Sequence, residues 1–155
     1  MLLQPAVMTV GGWFDAEDLS GTLKTYRATE AQNPGIPNAL VMGPWSHMLW
    51  NWASGDKLGD VTFSTADWFR EQVELPFFRH HLKGDTNYTP THALMFETGA
   101  NQWRHFDTWP PKTAQARTLY LHAGGQLSFA APAKTATDFD EYLSDPAKPV
   151  PVKMF

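Results

Sequence analysis

Two glycine-containing turns in the sequence each lead into a titratable side chain. Asp15 ends the segment Gly11-Gly12-Trp13-Phe14-Asp15, and His47 ends Gly43-Pro44-Trp45-Ser46-His47. A carboxylate beside an imidazole fixes the tautomer of the ring and stabilises the imidazolium that forms when histidine acts as a general base. Asp is also a favoured helix N-cap residue, and a loop histidine commonly makes a structural hydrogen bond. The pattern alone leaves a catalytic pair and these structural roles as alternatives.

The elements that precede the two turns predict a βαβ unit. Residues 6–10 and 39–42 are short apolar runs, each closed by glycine, which is typical of buried strands. Residues 16–31 lie between them and carry apolar side chains at helical spacing: Leu19, Leu23 and Tyr26. Ligands and catalytic groups in such sheets gather at the carboxyl ends of the strands, so Asp15 and His47 are expected to lie close together.

Further along the chain, the sequence predicts another helix and then a β-rich segment. The helix is expected to begin at Ser64 with a capping box to Asp67, to kink at Pro76 and to stop at Gly84. The polar residues 83–90 favour a link between two segments. Residues 93–97 and 117–122 are strand-like, and a hairpin is expected where Gly124-Gly125 leads into residues 126–129.

Composition excludes several classes of protein. The chain contains no Cys, which excludes disulfide scaffolds, Cys-based zinc sites and thiol nucleophiles. It has 12 Lys and Arg against 16 Asp and Glu without a basic cluster, so neither a nucleic-acid partner nor an anionic membrane surface is expected. No apolar run reaches the roughly 18 residues of a membrane span. An apolar share of 43% supports a packed core.

The segments around Asp15 and His47 resemble the acid and histidine motifs of a known family, that of cocaine esterase and α-amino-acid ester hydrolase. The family includes X-Pro dipeptidyl-peptidases and enzymes labelled glutaryl-7-aminocephalosporanic-acid acylases. The resemblance continues in order along the chain, through residues 75–84, 98–104, 109–111 and 142–151.

This resemblance implies an α/β fold: the C-terminal part of an α/β-hydrolase sheet in residues 1–88, followed by the start of a jelly-roll β domain in residues 89–155. It implies that Asp15 is the acid and His47 the base of a Ser-Asp-His triad. The 155 residues contain no Gly-x-Ser-x-Gly elbow. The nucleophile and the oxyanion hole are therefore expected outside this chain, and the chain alone is expected to be inactive.

The resemblance also implies a substrate class and binding residues. A serine hydrolase of this family would cleave ester or amide bonds of acyl substrates, of the α-amino-acid ester, β-lactam acyl or X-Pro type. Glu17 and Asp18 could bind a substrate ammonium group, and Trp13, Phe14 and Trp45 could line an acyl pocket. The alternatives are that the acidic pair serves a helix first turn and that the aromatic residues only pack. No metal or other cofactor is expected.

Other readings of the sequence remain open. A noncatalytic β-rich interaction or carbohydrate-binding module is the main alternative to a hydrolase. Open sheet edges favour a homo-oligomer, whose melting temperature would depend on protein concentration. The sequence leaves localisation unknown, although the resemblance to a family with exported members points toward the periplasm or secretion.

Overall fold

A computed structural model describes residues 4–52, 57–133 and 141–151 of the chain. These residues belong to two compact units, of which the first ends at Lys112 and the second begins at Thr113. No helix among the described residues is long and apolar enough to cross a membrane.

The first unit contains a four-stranded mixed sheet with helices. Its elements in chain order are β1 (Val7–Gly12), α1 (Leu19–Gln32), β2 (Asn38–Gly43), α2 (Leu49–Trp52), β3 (Lys57–Leu58), β4 (Val61–Thr62), α3 (Ala66–Phe69), a π-helical turn (Arg70–Glu74), α4 (Leu75–Lys83), β5 (Ala93–Glu97) and β6 (Gln102–Phe106). The sheet order is β1-β2-β5-β6, and β3 and β4 form a second, two-stranded sheet. This arrangement confirms the α/β fold class for the first unit.

The predicted βαβ unit is confirmed. β1 and β2 pair in parallel in a register that runs from Val7 opposite Asn38 to Gly12 opposite Gly43. Every residue of β2 is buried, as expected for a central parallel strand. The two glycines therefore lie side by side at the carboxyl ends of neighbouring strands, and the segments that follow them start from the same edge of the sheet.

Apolar side chains pack in two clusters. Val41 and Leu94 belong to one cluster with Trp45, whereas Leu40 and Met95 belong to the other. Successive residues of a strand point to opposite faces, so the two clusters cover opposite faces of the sheet. The apolar side chains predicted on one face of α1 pack in the second cluster: Leu19, Leu23 and Tyr26.

The β-rich segment does not begin where the sequence indicated. β5 was expected to start a second unit after residue 88, but it pairs in parallel with β2 inside the first unit. Residues Ala93 to Phe96 are all buried, because this apolar run fills the position next to β2. β6, where no strand was predicted, pairs with β5 in antiparallel fashion. The boundary between compact units accordingly lies after Lys112 rather than at residue 88.

The helical region before β5 differs from the sequence prediction at its start. Ser64 has a left-handed φ of 48°, so it cannot form the expected capping box with Asp67, and α3 begins after Thr65. Asp67 instead pairs with Arg70. A π-helical turn ends at Glu74, two residues before Pro76, which lies in the first turn of α4, where the N–H that proline lacks has no partner within the helix. The predicted stop is confirmed, because Gly84 caps α4 with a φ of 71°.

The second unit contains a small hairpin. β7 (Tyr120–His122) pairs with β8 (Gln126–Ser128) across a 3₁₀ turn at Ala123–Gly125. Gly124 and Gly125 both have positive φ, which explains the need for glycine in this turn. The predicted hairpin is confirmed, with strands shorter than expected.

Candidate active site

The segments that follow β1 and β2 are joined by backbone hydrogen bonds. The N–H of Trp13 donates to the carbonyl oxygen of Gly43 at 2.9 Å, and the N–H of Phe14 donates to that of Trp45 at 3.1 Å. A Cβ atom on Gly12 would lie 2.1 Å from the Trp45 carbonyl oxygen. Glycine at position 12 therefore permits the close approach that brings the two segments together.

Trp45 anchors the second segment in the core. Its side chain is fully buried, and its indole N–H donates to the Thr65 hydroxyl at 2.9 Å. Its ring contacts three other aromatic rings at centroid distances of 5.2 to 5.8 Å: Trp50, Phe69 and Trp103. This packing fixes the backbone two residues before His47.

Asp15 and His47 form the contact that their positions predict. His47 Nδ1 lies 3.1 Å from Asp15 Oδ2. The other carboxylate oxygen, Asp15 Oδ1, accepts the N–H groups of Glu17 at 2.8 Å and Asp18 at 3.0 Å. The Asp15 side chain is only 3% exposed, whereas that of His47 is 45% exposed. The buried carboxylate thus holds one edge of an imidazole whose opposite edge, with Nε2, remains available.

The surroundings of the pair favour its charged form. Burial alone would raise the pKa of Asp15, but the N–H groups of Asp18 and Glu17 and the His47 side chain outweigh burial and hold that pKa below 3.8. The hydrogen bond to Asp15 raises the pKa of His47 above 6.5 despite partial desolvation, with further support from the charges of Asp15, Glu17 and Asp18. A stabilised imidazolium is what a general base requires after it has taken a proton.

A second carboxylate also approaches His47. Asp18 Oδ2 lies 3.5 Å from His47 Nδ1, and the Asp18 side chain is 64% exposed. Asp18 is the N-cap residue of α1, but its side chain makes no capping hydrogen bond. Asp15, Asp18 and His47 are the one set among the described residues with three possible metal-ligand atoms within 4.8 Å of one another. Both carboxylate oxygens of Asp15 take part in hydrogen bonds, Oδ1 with the turn and Oδ2 with His47.

A cavity of about 370 Å³ opens beside the pair. Three titratable residues lie in its wall: Asp15, Asp18 and His47. The other lining residues are Thr9, Val10, Gly21, Thr22, Thr25, Met48 and Trp50. The wall therefore combines acidic, hydroxyl and apolar side chains.

The remaining residues predicted to bind substrate are dispersed. Trp13 packs against Trp109 and donates its indole N–H to the Phe96 carbonyl oxygen at 2.9 Å. Phe14 is exposed and stacks on Phe63.

The predicted binding residues Glu17 and Trp45 also lie outside the cavity wall, for different reasons. Glu17 is exposed in the turn before α1 and does not line the cavity. Trp45 does not fit an acyl pocket, since its fully buried side chain has no surface to offer a substrate. Of the five predicted binding residues, only Asp18 lies in the cavity wall.

Sequence reasoning missed the apolar lining of the cavity. Met48 directly follows His47 and has a left-handed φ of 52°, and Trp50 lies in α2. The guanidinium of Arg70 donates to the Trp50 carbonyl oxygen and so braces α2 from the π-helical turn. Position next to His47 was the available signal for Met48, whereas nothing in the local sequence indicates the contact between Arg70 and Trp50.

Comparison with known proteins finds a family model and several hydrolase relatives that match this chain. The family model described as X-Pro dipeptidyl-peptidase (S15 family) matches residues 3–49, a range that contains both Asp15 and His47. A protein of Mycobacterium bovis named "Putative serine esterase" is 33% identical over 144 residues, which cover 90% of this chain and 21% of the relative. Cocaine esterase of a Rhodococcus species is 27% identical, with 97% of this chain and 27% of the relative covered.

Two solved structures have the same fold over nearly all of the chain. An aminopeptidase from a marine sediment Thaumarchaeota archaeon is 40% identical with a TM-score of 0.83, over 97% of this chain and 25% of that one. A selenomethionine-labelled α-amino acid ester hydrolase is 38% identical with a TM-score of 0.82, over 97% of this chain and 26% of that one. The chain spans between a fifth and just over a quarter of the length of all these relatives. Residues 3–49 thus match the X-Pro dipeptidyl-peptidase (S15) family model, and the chain as a whole is similar to a quarter-length piece of esterases and an aminopeptidase.

Proposed function

We propose that this chain supplies the acid and the base of a serine hydrolase that cleaves ester or amide bonds of acyl substrates. The hydrogen bond between Asp15 and His47, at the carboxyl ends of two neighbouring parallel strands, is the observation that carries this proposal. The match of residues 3–49 to the S15 family model and the similarity to an α-amino acid ester hydrolase support it.

His47 would act through Nε2, because Nδ1 is engaged by Asp15. Nε2 takes the proton of a serine hydroxyl as the serine oxygen attacks the substrate carbonyl carbon. The imidazolium then gives that proton to the leaving alcohol or amine, and an acyl-enzyme remains. Water repeats the sequence with the same base and releases the acid. Asp15 orients the ring throughout and stays ionised.

The nucleophile belongs to a part of the enzyme outside these 155 residues. The sequence has no Gly-x-Ser-x-Gly elbow, and the chain covers only a fraction of its relatives' length. We therefore propose that the chain alone is inactive and that the complete enzyme contributes the serine and the oxyanion hole. The C-terminal residues, with their β7–β8 hairpin, would begin the jelly-roll domain of that enzyme.

For the substrate, we propose an acyl group whose ammonium lies near Asp18 and Glu17. Asp18 lines the cavity, and both residues place negative charge beside His47. The apolar part of the wall, with Met48 and Trp50, would accept the acyl side chain. The similarity to an α-amino acid ester hydrolase supports this acyl class.

Release of p-nitrophenol from an α-amino-acid p-nitrophenyl ester tests the proposal in the full natural protein. We expect a first-turnover burst in the wild type and a loss of about 10⁶-fold in kcat for His47→Ala. His105→Ala is the matched control, because His105 is exposed on β6 and does not line the cavity. A His47→Ala protein that keeps more than about a tenth of wild-type activity, against the loss that a triad histidine predicts, would refute the proposal.

A further inference from the structure

His47 faces two carboxylates rather than one. Asp15 Oδ2 is 3.1 Å and Asp18 Oδ2 is 3.5 Å from the same ring nitrogen, Nδ1. We infer that Asp18 is a positioning residue for His47: it holds the Nδ1–H edge of the ring from the solvent side and stabilises the imidazolium. Its catalytic consequence rests on the function proposed above, whereas its effect on the imidazole does not.

The backbone holds Asp18 in place for this role. Its N–H donates to Asp15 Oδ1, and its carbonyl oxygen accepts both the N–H and the hydroxyl of Thr22 at 2.9 Å. Its side chain makes no N-capping hydrogen bond, although Asp18 occupies the N-cap position of α1. The carboxylate is therefore directed at His47 instead of at the helix, and the same turn fixes both partners of the ring.

The two carboxylates differ in their exposure to solvent. Asp15 is buried, whereas Asp18 is mostly exposed. Salt shortens the range of exposed charges to about 3 Å at 1 M ionic strength but screens buried pairs much less. The part of the imidazolium stabilisation that comes from Asp18 must therefore be sensitive to salt, and the part that comes from Asp15 must be resistant.

The other charges near His47 come from the same turn. Among the described residues, the charged groups that act on His47 are Asp15, Glu17 and Asp18. Glu17 acts only through its field, because no ion pair within 4.0 Å joins it to His47 in the part of the chain that the structure describes. Glu17→Gln and Asp18→Asn thus remove equal charges from neighbouring positions, and only the second removes a contact.

The test is a histidine titration by NMR in the full natural protein, labelled with ¹³C at histidine Cε1. His47→Gln identifies the His47 resonance. We expect Asp18→Asn to lower the pKa of His47 by about 0.5 at low salt. In 1 M NaCl the pKa of His47 should be nearly the same in the wild type and in Asp18→Asn. Asp18→Glu, which restores the charge, should recover most of the wild-type value.

Two control variants distinguish a direct contact between Asp18 and His47 from the general electrostatic effect of nearby negative charge. Glu17→Gln should lower the pKa of His47 by less than half as much as Asp18→Asn, and Asp67→Asn should leave it unchanged. Equal shifts for Glu17→Gln and Asp18→Asn would overturn the inference, as would an Asp18→Asn protein with the wild-type pKa and salt dependence. Because this readout needs no turnover, an inactive wild-type protein would count against the proposed function without affecting the result for Asp18.

Discussion

Asp15 divides its two carboxylate oxygens between two tasks. Oδ1 closes the turn that leads into α1, and Oδ2 holds His47. The sequence left a helix N-cap and a histidine-binding role as alternatives for Asp15; the N-cap position of α1 belongs to Asp18, and Asp15 binds His47 while it closes the preceding turn. Because the turn N–H groups also lower the pKa of Asp15, the local fold keeps ionised the carboxylate that the imidazole requires.

Replacement of Asp15 by Asn tests its role in orienting the base. The amide can still accept hydrogen bonds from the turn, but its other side chain atom can present an N–H to His47 and so favour the wrong tautomer. We expect kcat to fall by about 10⁴-fold in the full natural protein, with far less effect from Glu17→Gln. A decrease of less than about tenfold in ester turnover would show that the proposed triad does not depend on this carboxylate.

The pair should also make stability depend on pH. The raised pKa of His47 contributes stability that is complete below 6.5 and is lost as the pH rises through the folded-state value. The lowered pKa of Asp15 contributes stability that is complete above 3.8 and is lost as the pH falls through its folded-state value.

We therefore expect the difference in melting temperature between wild type and His47→Gln to be largest between pH 3.8 and 6.5. The difference should shrink on both sides of this window, as thermal unfolding at a series of pH values would reveal. A difference that stays constant with pH would contradict an ion pair between Asp15 and His47.

At the scale of elements, the site depends on how closely the ends of β1 and β2 approach. Gly12 faces the Trp45 carbonyl oxygen, and a Cβ atom on Gly43 would lie 2.5 Å from the Trp45 ring. These contacts involve backbone and a fully buried ring, neither of which can move without displacing His47.

Gly12→Ala should therefore destabilise the protein by about 1–3 kcal/mol or more, measured by denaturant unfolding. Gly21→Ala is the matched control, since a Cβ atom there has its nearest neighbour 4.0 Å away, at Asp18 Oδ1. It lies within α1 and should be neutral or stabilising by about 0.5–1 kcal/mol. Equal stability of Gly12→Ala and wild type would refute the close approach.

Local pattern predicted these elements well where the decisive interactions are local. The apolar runs and the α1 stripe located β1, α1 and β2, and Gly84 located the end of α4. Local pattern did not predict the positions of Ser64, which was expected to cap a helix, and Trp45, which was expected to line an acyl pocket. Trp45 packs against rings that lie up to 58 positions away in sequence, and its indole binds Thr65, so its burial depends on contacts that no local window contains.

At the scale of the whole molecule, the first compact unit extends beyond the polar link at residues 83–90 to Lys112. The strand character of residues 93–97 was correct, but only tertiary pairing decides which sheet a strand joins. A polar link with glycine and proline can lead into a new domain or connect two strands of one sheet, so such a link does not distinguish the two cases. The pair of Asp15 and His47, in contrast, was predictable because parallel strands bring their carboxyl ends to one edge.

Truncation tests where the first unit ends. A chain that ends at Lys112 keeps β5 and β6 and should unfold cooperatively by circular dichroism. A chain that ends at Tyr88 lacks β5, exposes the buried residues of β2 and should lose cooperative unfolding. Equal cooperativity of the two truncated chains would place the boundary at residue 88 after all.

Covalent labelling by a fluorophosphonate tests directly whether His47 is the base of a serine hydrolase, because the reagent reacts with a serine that a neighbouring base has activated. We predict that mass spectrometry of the natural protein finds the label on one serine outside residues 1–155, that His47→Ala abolishes labelling and that His105→Ala does not. Residues 1–155 alone should remain unlabelled. Labelling that persists undiminished in His47→Ala would contradict the assignment of His47 as the base, and so would a label on a serine within residues 1–155.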